Sequence, residues 1–293
     1  MVTYTAHEWT PARFPSGVPV CLTRHRYAGR TDGPTVYLQA AQHGREVAGP
    51  ETLRRLHGRL LDGRALAGEV IAVPVADPLT FDHRSYTTPE ALDGVEPNMN
   101  RVWPGDADGT LHERLAAALW EVASGADVLV DLHTASAGTL PHVVYTAGDG
   151  EARRLARAFG TTLHLAEPAG GDAGAEWHDR DFGGKFRVAA HQAGVPCITP
   201  ELGDSQRVRE ATIERGVDGL LDVLRAVDVL PGEPAASDPR RCRNHLGRVQ
   251  AAESGLFRPA PDCEPGDRVA EGDPVGAVYD PATYERLQDA TAA

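Results

Sequence analysis

The chain has 293 residues, 41% of them hydrophobic and 24% charged. That is enough to bury a sizeable core as one large domain, or one plus a small appendage, and it excludes a disordered or fibrous protein. Its net charge is -13 and Lys185 is its only lysine; an acidic surface of this kind repels phosphate backbones, so nucleic acid is excluded as a partner.

In chain order, TVYLQAAQ (Thr35 to Gln42) is a short apolar, partly β-branched run that predicts a strand. GPETLRRLHGRLLDG follows with leucines at helical spacing and a glycine stop, so it predicts a helix. EVIAVPVAD (Glu69 to Asp77) is a second strand, and DVLVDLHT (Asp127 to Thr134) is a third, preceded by a helix through LHERLAAALWEVASG. The alternation continues with a strand HVVYTAG, a helix EARRLARAFG, a strand TTLHLAEP, a helix ending near Gly194, the strand VPCITPELG and a helix from about Ser205 to Val229. Runs apolar on both faces imply an α/β fold with a mostly parallel or mixed sheet flanked by helices.

Near Pro231 the texture changes to PGEPAASDP, a linker composition, followed by short strands divided by Gly, Pro and Asp. The expected organisation is an α/β domain at 1–230, a linker at 231–240 and a small β domain at 241–293. Four cysteines (Cys21, Cys197, Cys242, Cys263) stand far apart with no CxxC pair, and the first residues have neither the basic nor the apolar region of a leader. A reduced, cytoplasmic protein is therefore expected, and no run of about 18 apolar residues suggests a membrane span.

The candidate chemistry collects at strand ends. His43 and Glu46 stand in QHGRE directly after the first of these strands, His133 in VDLHT at the carboxyl end of another, and Glu201 in TPELG at the end of a third. In an open α/β sheet those ends face one crevice, where residues distant in sequence can converge. Catalytic zinc usually takes three ligands from His and Asp/Glu and leaves a fourth position open, and His43, Glu46 and His133 fit that rule with Glu201 as a spare carboxylate. An HxxE pair alone is more often a surface pair than a metal site; the joint placement changes the odds. A second cluster, PNMNRVWPG, sets Asn100 beside Arg101 in a Pro- and Gly-rich loop. A guanidinium fork with a neighbouring amide suits a small substrate carrying a free carboxylate.

Taken in order, QHGREVAGPE, NMNRVWPG, VDLHT and VPCITPELG resemble the sequence blocks of the succinylglutamate desuccinylase/aspartoacylase family, a branch of the zinc carboxypeptidase superfamily. The resemblance spans Gln42 to Gly203. It implies one Zn2+ per chain on His43, Glu46 and His133, Glu201 as general base and proton shuttle, and Asn100 with Arg101 on a substrate carboxylate. It also implies an upstream arginine that polarises the scissile carbonyl, for which Arg84 in FDHRSY is the best match. Two features depart from the family pattern: the stretch from Arg84 to Arg101 is longer, and Asn98 stands where an acidic residue is common. GDRVAEGDPVG resembles the first half of a small carrier-like β domain, so residues 241–293 are expected to be an incomplete version of it, and the absence of lysine there rules out a carrier role.

The activity so implied is hydrolysis of the amide bond of a small N-acyl amino acid. A zinc carboxypeptidase acting on peptides is the first alternative, and a non-catalytic metal-binding module the second. Lys185 and Arg187 are candidates for attracting an acidic substrate, and an edge of the short β domain is a candidate site of self-association into a homo-oligomer. His178, Asp179 and Asp181 read as a solvated loop. His57, His83, His112 and His191 fall on helices or loops without a partner at ligand spacing, and Cys197 reads as a small core residue.

Overall fold

Val36, Leu38 and Ala40 point to one side of strand β3 (Thr31–Ala40) and Tyr37 and Gln39 to the other, and all five are buried. A strand alternates its side chains between faces, so a strand apolar on both must lie inside a sheet covered on both sides. The computed structural model has that arrangement; it describes residues 2–63, 65–170, 177, 179–235, 237–242 and 249–293. The chain divides into two compact units, Met1–Cys242 and Arg243–Ala293.

In the larger unit a hairpin of β1 (Thr3–Arg13) and β2 (Pro19–Ala28) precedes β3. There follow α1 (Ala48–Leu61), β4 (Ala67–Val73), α2 (Pro78–His83), α3 (Leu111–Ala123), β5 (Val128–Ala135), β6 (His142–Thr146), α4 (Gly150–Phe159) and β7 (Leu163–Glu167). α5 (Phe186–Gln192), β8 (Cys197–Asp204), α6 (Glu210–Ala226) and β9 (Arg240–Cys242) complete it. One nine-stranded sheet runs in the order β1-β2-β4-β3-β5-β8-β6-β7-β9. Its centre, β4-β3-β5-β8, is parallel, whereas β2 meets β4 and β6 meets β8 antiparallel. The sheet is therefore mixed around a parallel middle.

One face is covered by α1, α4 and α6: Leu53, Leu56 and Leu60 of α1 and Val217, Leu220 and Leu224 of α6 join Val36, Leu38, Val130 and Ile198 of the strands in one core. The other face packs Leu115 and Leu119 of α3 and Phe186 of α5 on Tyr37, Leu129 and Cys197. Each such buried large apolar side chain contributes about 1.5–3 kcal/mol of transfer free energy. These two cores leave the carboxyl ends of β3, β5 and β8 side by side. Cys197 is a buried thiol, its pKa held high by burial, in keeping with a core role.

In the smaller unit, β10 (Leu256–Pro259), β11 (Pro274–Tyr279) and β12 (Arg286–Thr291) form an antiparallel three-stranded sheet, with β11 in the middle. Among the described residues no helix is long and apolar enough to cross a membrane.

Candidate metal centre and active site

Cross-strand register sets the first half of the site. Asp131 of β5 stands opposite Gln39 of β3, and His133, two residues on and therefore on the same face, stands opposite Glu201 of β8. Beyond the end of β3 the chain must turn sharply to bring His43 and Glu46 to this face. Ala41 makes the turn in the left-handed region (φ 53), a conformation costing an ordinary residue about 1–2 kcal/mol. Two hydrogen bonds hold it, Ala76 N–H to the Ala40 carbonyl at 2.9 Å and Asp77 N–H to the Ala41 carbonyl at 3.0 Å. Gly44 then passes so close to α2 that a Cβ there would lie 1.8 Å from the Thr80 carbonyl oxygen, so no other residue fits.

The result is a buried cluster: His43, Glu46 and His133 each offer a ligand atom, and these atoms all lie within 4.8 Å of one another. Glu46 is its hub. One carboxylate oxygen lies 2.9 Å from His43 Nδ1, while the other lies 2.8 Å from His133 Nδ1 and accepts from the Thr134 N–H at 3.1 Å. The Nε2 atoms face outward, His133 Nε2 to Asp131 Oδ2 at 2.9 Å and His43 Nε2 to Asn98 Oδ1 at 3.1 Å. Asn98 Oδ1 also accepts from the Asn100 N–H at 3.0 Å, which fixes its orientation. With Nε2–H donating to an oxygen on both rings, the Nδ1 lone pairs are the atoms left to bind a cation.

The electrostatics point the same way. Burial alone would raise the Glu46 carboxyl, but His133 and then His43 hold it down to about 2. Burial opposes a charge on His133, yet Asp131 and Glu46 hold its pKa well above the usual imidazole value. Burial pushes Glu201 up to about 7, with His133 pulling against it. One oxygen of Glu201, Oε2, is buried with no hydrogen-bond partner, an uncommon state for a carboxylate and one that marks a place for another group. Three buried carboxyl groups, Glu46, Asp131 and Glu201, thus share two imidazoles, and a divalent cation fits that donor set and that charge.

Around the cluster, the Tyr86 ring stacks on His43 with centroids 4.1 Å apart. Burial first, then Glu46, raise its phenol, while His133 and Arg101 pull it down. Asn100 and Arg101 lie in a short 3-10 turn, Met99–Arg101, capped by the Asn98 side chain. Asn100 Oδ1 accepts from the Phe186 N–H at 3.0 Å, leaving its amide hydrogens for other partners. The Arg101 guanidinium donates to the Arg180 and Asn100 carbonyls at 2.9 and 2.6 Å and lies over the Phe182 ring. Gly184 lets this turn pack, because a Cβ there would sit 1.6 Å from the Arg101 carbonyl oxygen. Arg84 occupies the left-handed cap of α2 (φ 53) with an exposed side chain, and no contact joins it to the cluster. Lys185 and Arg187 are turned to Glu167, with Arg187 also donating to Thr146 Oγ1 at 2.7 Å. His178 lies outside the described residues; Asp179 and Asp181 are exposed.

Sequence reasoning missed Asp131 and Tyr86 and gave Asn98 no role toward His43. Asp131 had a signal: a carboxylate two residues before a strand-end histidine shares its face. Tyr86 had none, since its loop returns to the site only through long-range contacts.

Residues 32–227 match the succinylglutamate desuccinylase/aspartoacylase catalytic domain, and the chain belongs to that family. It is 29% identical over 277 residues, 90% of this chain and 74% of the relative, to an N-alpha-acetyl-L-2,4-diaminobutyric acid deacetylase of Halomonas elongata. Two solved structures share the fold. One is a succinylglutamate desuccinylase/aspartoacylase of Rhodobacter sphaeroides (TM-score 0.81, 24% identity, 98% of this chain and 87% of that one). The other is the ectoine utilization protein EutE (DoeB) of Ruegeria pomeroyi, solved with product bound (TM-score 0.78, 22% identity, 99% and 90%).

Proposed function

We propose that the chain is a zinc-dependent hydrolase that cleaves the amide bond of a small N-acyl amino acid, releasing a carboxylate and a free amine. The observation that carries the reading is the meeting of two buried imidazoles and a buried carboxylate beside a fourth group, Glu201, with an unpartnered oxygen. His43, Glu46 and His133 hold one Zn2+. When bound, zinc supplies Lewis acidity, which lowers the pKa of water and stabilises negative charge developing on the scissile carbonyl.

The chain's own residues do the rest. Glu201, whose Oε2 is buried beside the cluster with no hydrogen-bond partner, takes the proton of the attacking water and returns it to the leaving amine. Arg101, its guanidinium fixed by two backbone carbonyls, and the free amide hydrogens of Asn100 receive the substrate carboxylate. Arg84, exposed in the same loop, is assigned to the carbonyl oxygen. Residues 1–230 carry this chemistry, and the small β domain is the unit that begins at Arg243, since Arg240–Cys242 pair with β7 in the large sheet.

The relative from Halomonas elongata is named for deacetylation of N-alpha-acetyl-L-2,4-diaminobutyric acid, which places that compound first in a substrate panel. The test is metal content by elemental analysis of wild type and His133→Ala, beside deacylase assays on N-acetyl and N-succinyl amino acids and on short peptides. About one zinc per chain, lost in the variant together with hydrolysis of an acyl amino acid, is the expected result. A metal-free wild type, or a preference for peptides, overturns the reading.

A further inference from the structure

Residues 84–98 link α2 to the turn that carries Asn100 and Arg101, and they reach the metal cluster twice, through the Tyr86 ring on His43 and through Asn98 Oδ1 at His43 Nε2. Apolar burial does little to hold this loop: Val95 is 75% exposed and Tyr86 44%. A loop so placed, with so little core of its own, needs another anchor.

The anchor is on α3. His112 stands in the first turn of that helix, which starts at a capping box of Thr110 and Glu113, and it is fully buried. Its Nδ1 lies 2.6 Å from the Glu96 carbonyl oxygen and 3.6 Å from Asp93 Oδ2; its Nε2 lies 3.1 Å from Asp77 Oδ2 and 2.9 Å from Thr88 Oγ1. Thr88, Asp93 and Glu96 belong to the loop and Asp77 to the start of α2. Between the limbs of the loop, Thr88 N–H donates to the Pro97 carbonyl at 2.7 Å. Asp93 shapes the apex, its Oδ1 accepting from the Val95 and Glu96 N–H groups at 3.0 Å each, while its buried Oδ2 has no hydrogen-bond partner.

A carbonyl oxygen only accepts, so Nδ1 carries a proton. Asp77 caps α2 with Oδ1, which accepts from the Leu79 and Thr80 N–H groups, and turns its other oxygen to His112 Nε2. Burial opposes a charge on His112, yet the hydrogen bond and charge of Asp77, with the Glu96 carbonyl and Asp93, raise its pKa above the usual imidazole value. A cation in the first turn of a helix opposes the helix dipole. A locally unfavourable choice that ties three groups of a site-forming loop to the cap of α2 reads as a functional one.

We propose that His112 is a positioning residue: a buried clamp that holds residues 84–98 against the metal centre and so sets Tyr86, Asn98 and the Asn100–Arg101 turn. The clamp serves the hydrolase proposed for this site, and its test is built to stand apart from that reading. His112→Leu removes all four contacts, His112→Asn keeps a donor toward Glu96, and His112→Gln keeps one toward Asp77 and Thr88. Amide hydrogen exchange, zinc affinity by chelator competition, and kcat and KM on the best acyl amino acid are measured for each.

For His112→Leu, exchange within 86–98 rises at least tenfold while β5 and β8 stay protected, zinc affinity falls about tenfold through the Asn98 contact, and KM rises. The Asn and Gln variants fall between it and wild type. Unchanged exchange in 86–98 overturns the proposal. So does faster exchange with zinc affinity and KM at their wild-type values, since the clamp would then be merely structural. If the wild type hydrolyses no acyl amino acid, the functional reading fails alone, and exchange with zinc affinity still decides the clamp.

Discussion

Asp131→Asn removes one charge beneath the metal centre while disturbing little else. Three donors converge on Asp131: Gln42 Nε2 at 2.7 Å and His133 Nε2 at 2.9 Å on Oδ2, and Gln39 Nε2 at 3.1 Å on Oδ1. Gln42 cannot turn over, because its own oxygen accepts from Trp103 Nε1, which is only a donor. An asparagine must therefore put its oxygen at the Oδ2 position, where Gln42 and His133 keep their bonds, and its amide toward Gln39. Gln39 can flip to meet it, and then donates to the Tyr37 hydroxyl from which it now accepts at 3.0 Å. The donors left unpaired are the Tyr37 hydroxyl hydrogen and the second hydrogen of the new amide, at a cost of about 1–3 kcal/mol each. What is lost at the proposed metal site is the carboxylate that orients His133 and would make it a stronger ligand. Outer partners of this kind change metal affinity by about 10–100-fold, or about 1.4–2.7 kcal/mol. Zinc affinity by chelator competition, with urea unfolding in excess chelator run alongside, separates the two effects. A zinc affinity within twofold of wild type would refute the reasoning, because a carboxylate 2.9 Å from a ligand imidazole cannot be silent toward the cation.

Glu201→Gln keeps shape and removes the proton acceptor; hydrolysis should fall by about 10²–10⁴-fold with zinc content unchanged, and a variant retaining a tenth of wild-type activity contradicts the assignment. His164 is buried, and burial first, then Arg157, depress its pKa to about 4 from the ordinary 6.5. Its neutral ring stabilises the fold fully above pH 6.5, and that contribution, about 3 kcal/mol at most, is lost as pH falls from about 6.5 toward 4. Between pH 7.5 and pH 5 the urea midpoint of wild type should fall further than that of His164→Leu; an identical pH dependence in both proteins rules the linkage out.

The middle of the sheet was legible in the sequence because its strands are buried on both faces, and short Val- and Leu-rich runs such as DVLVDLHT are what a strand covered on both sides requires. Strand direction was not: β6 reads like its neighbours, and only pairing with β8 reveals that it runs antiparallel. The β1–β2 hairpin went unread because β1 is almost wholly exposed and carries no apolar alternation. At the site, the register rule that brings strand ends to one crevice is a property of the fold class, so His43, Glu46, His133 and Glu201 could be grouped from their positions alone. Asn98, Tyr86 and His112 could not, since each acts through a loop whose closure depends on Asp77, Thr88 and Glu96. His112 in particular looked like a helix residue without a partner, and its partners come from 16 to 35 positions away.

Asn98 is where the sequence and the site diverge most instructively. Of the two imidazoles of the candidate metal centre, His133 is backed by a carboxyl group and His43 by an amide, so the outer contacts of the centre are asymmetric. Asn98→Asp tests whether that asymmetry matters. Both hydrogen bonds accepted by Asn98 Oδ1, from His43 Nε2 and from the Asn100 N–H, survive in an aspartate, so the turn bearing Arg101 keeps its cap and the change is one of charge alone. A charge-assisted bond is roughly twice as strong as a neutral one, and it acts on the ring whose Nδ1 would bind the metal. Zinc affinity should rise about tenfold. The same negative charge sits next to the turn proposed to receive the substrate carboxylate, so KM should rise as well, while kcat moves less. Tighter zinc with a higher KM would mean that the amide at position 98 trades metal affinity for substrate affinity. An unchanged zinc affinity with an unchanged KM would mean that Asn98 is only the cap of a 3-10 turn, and that the contact to His43 carries no energy.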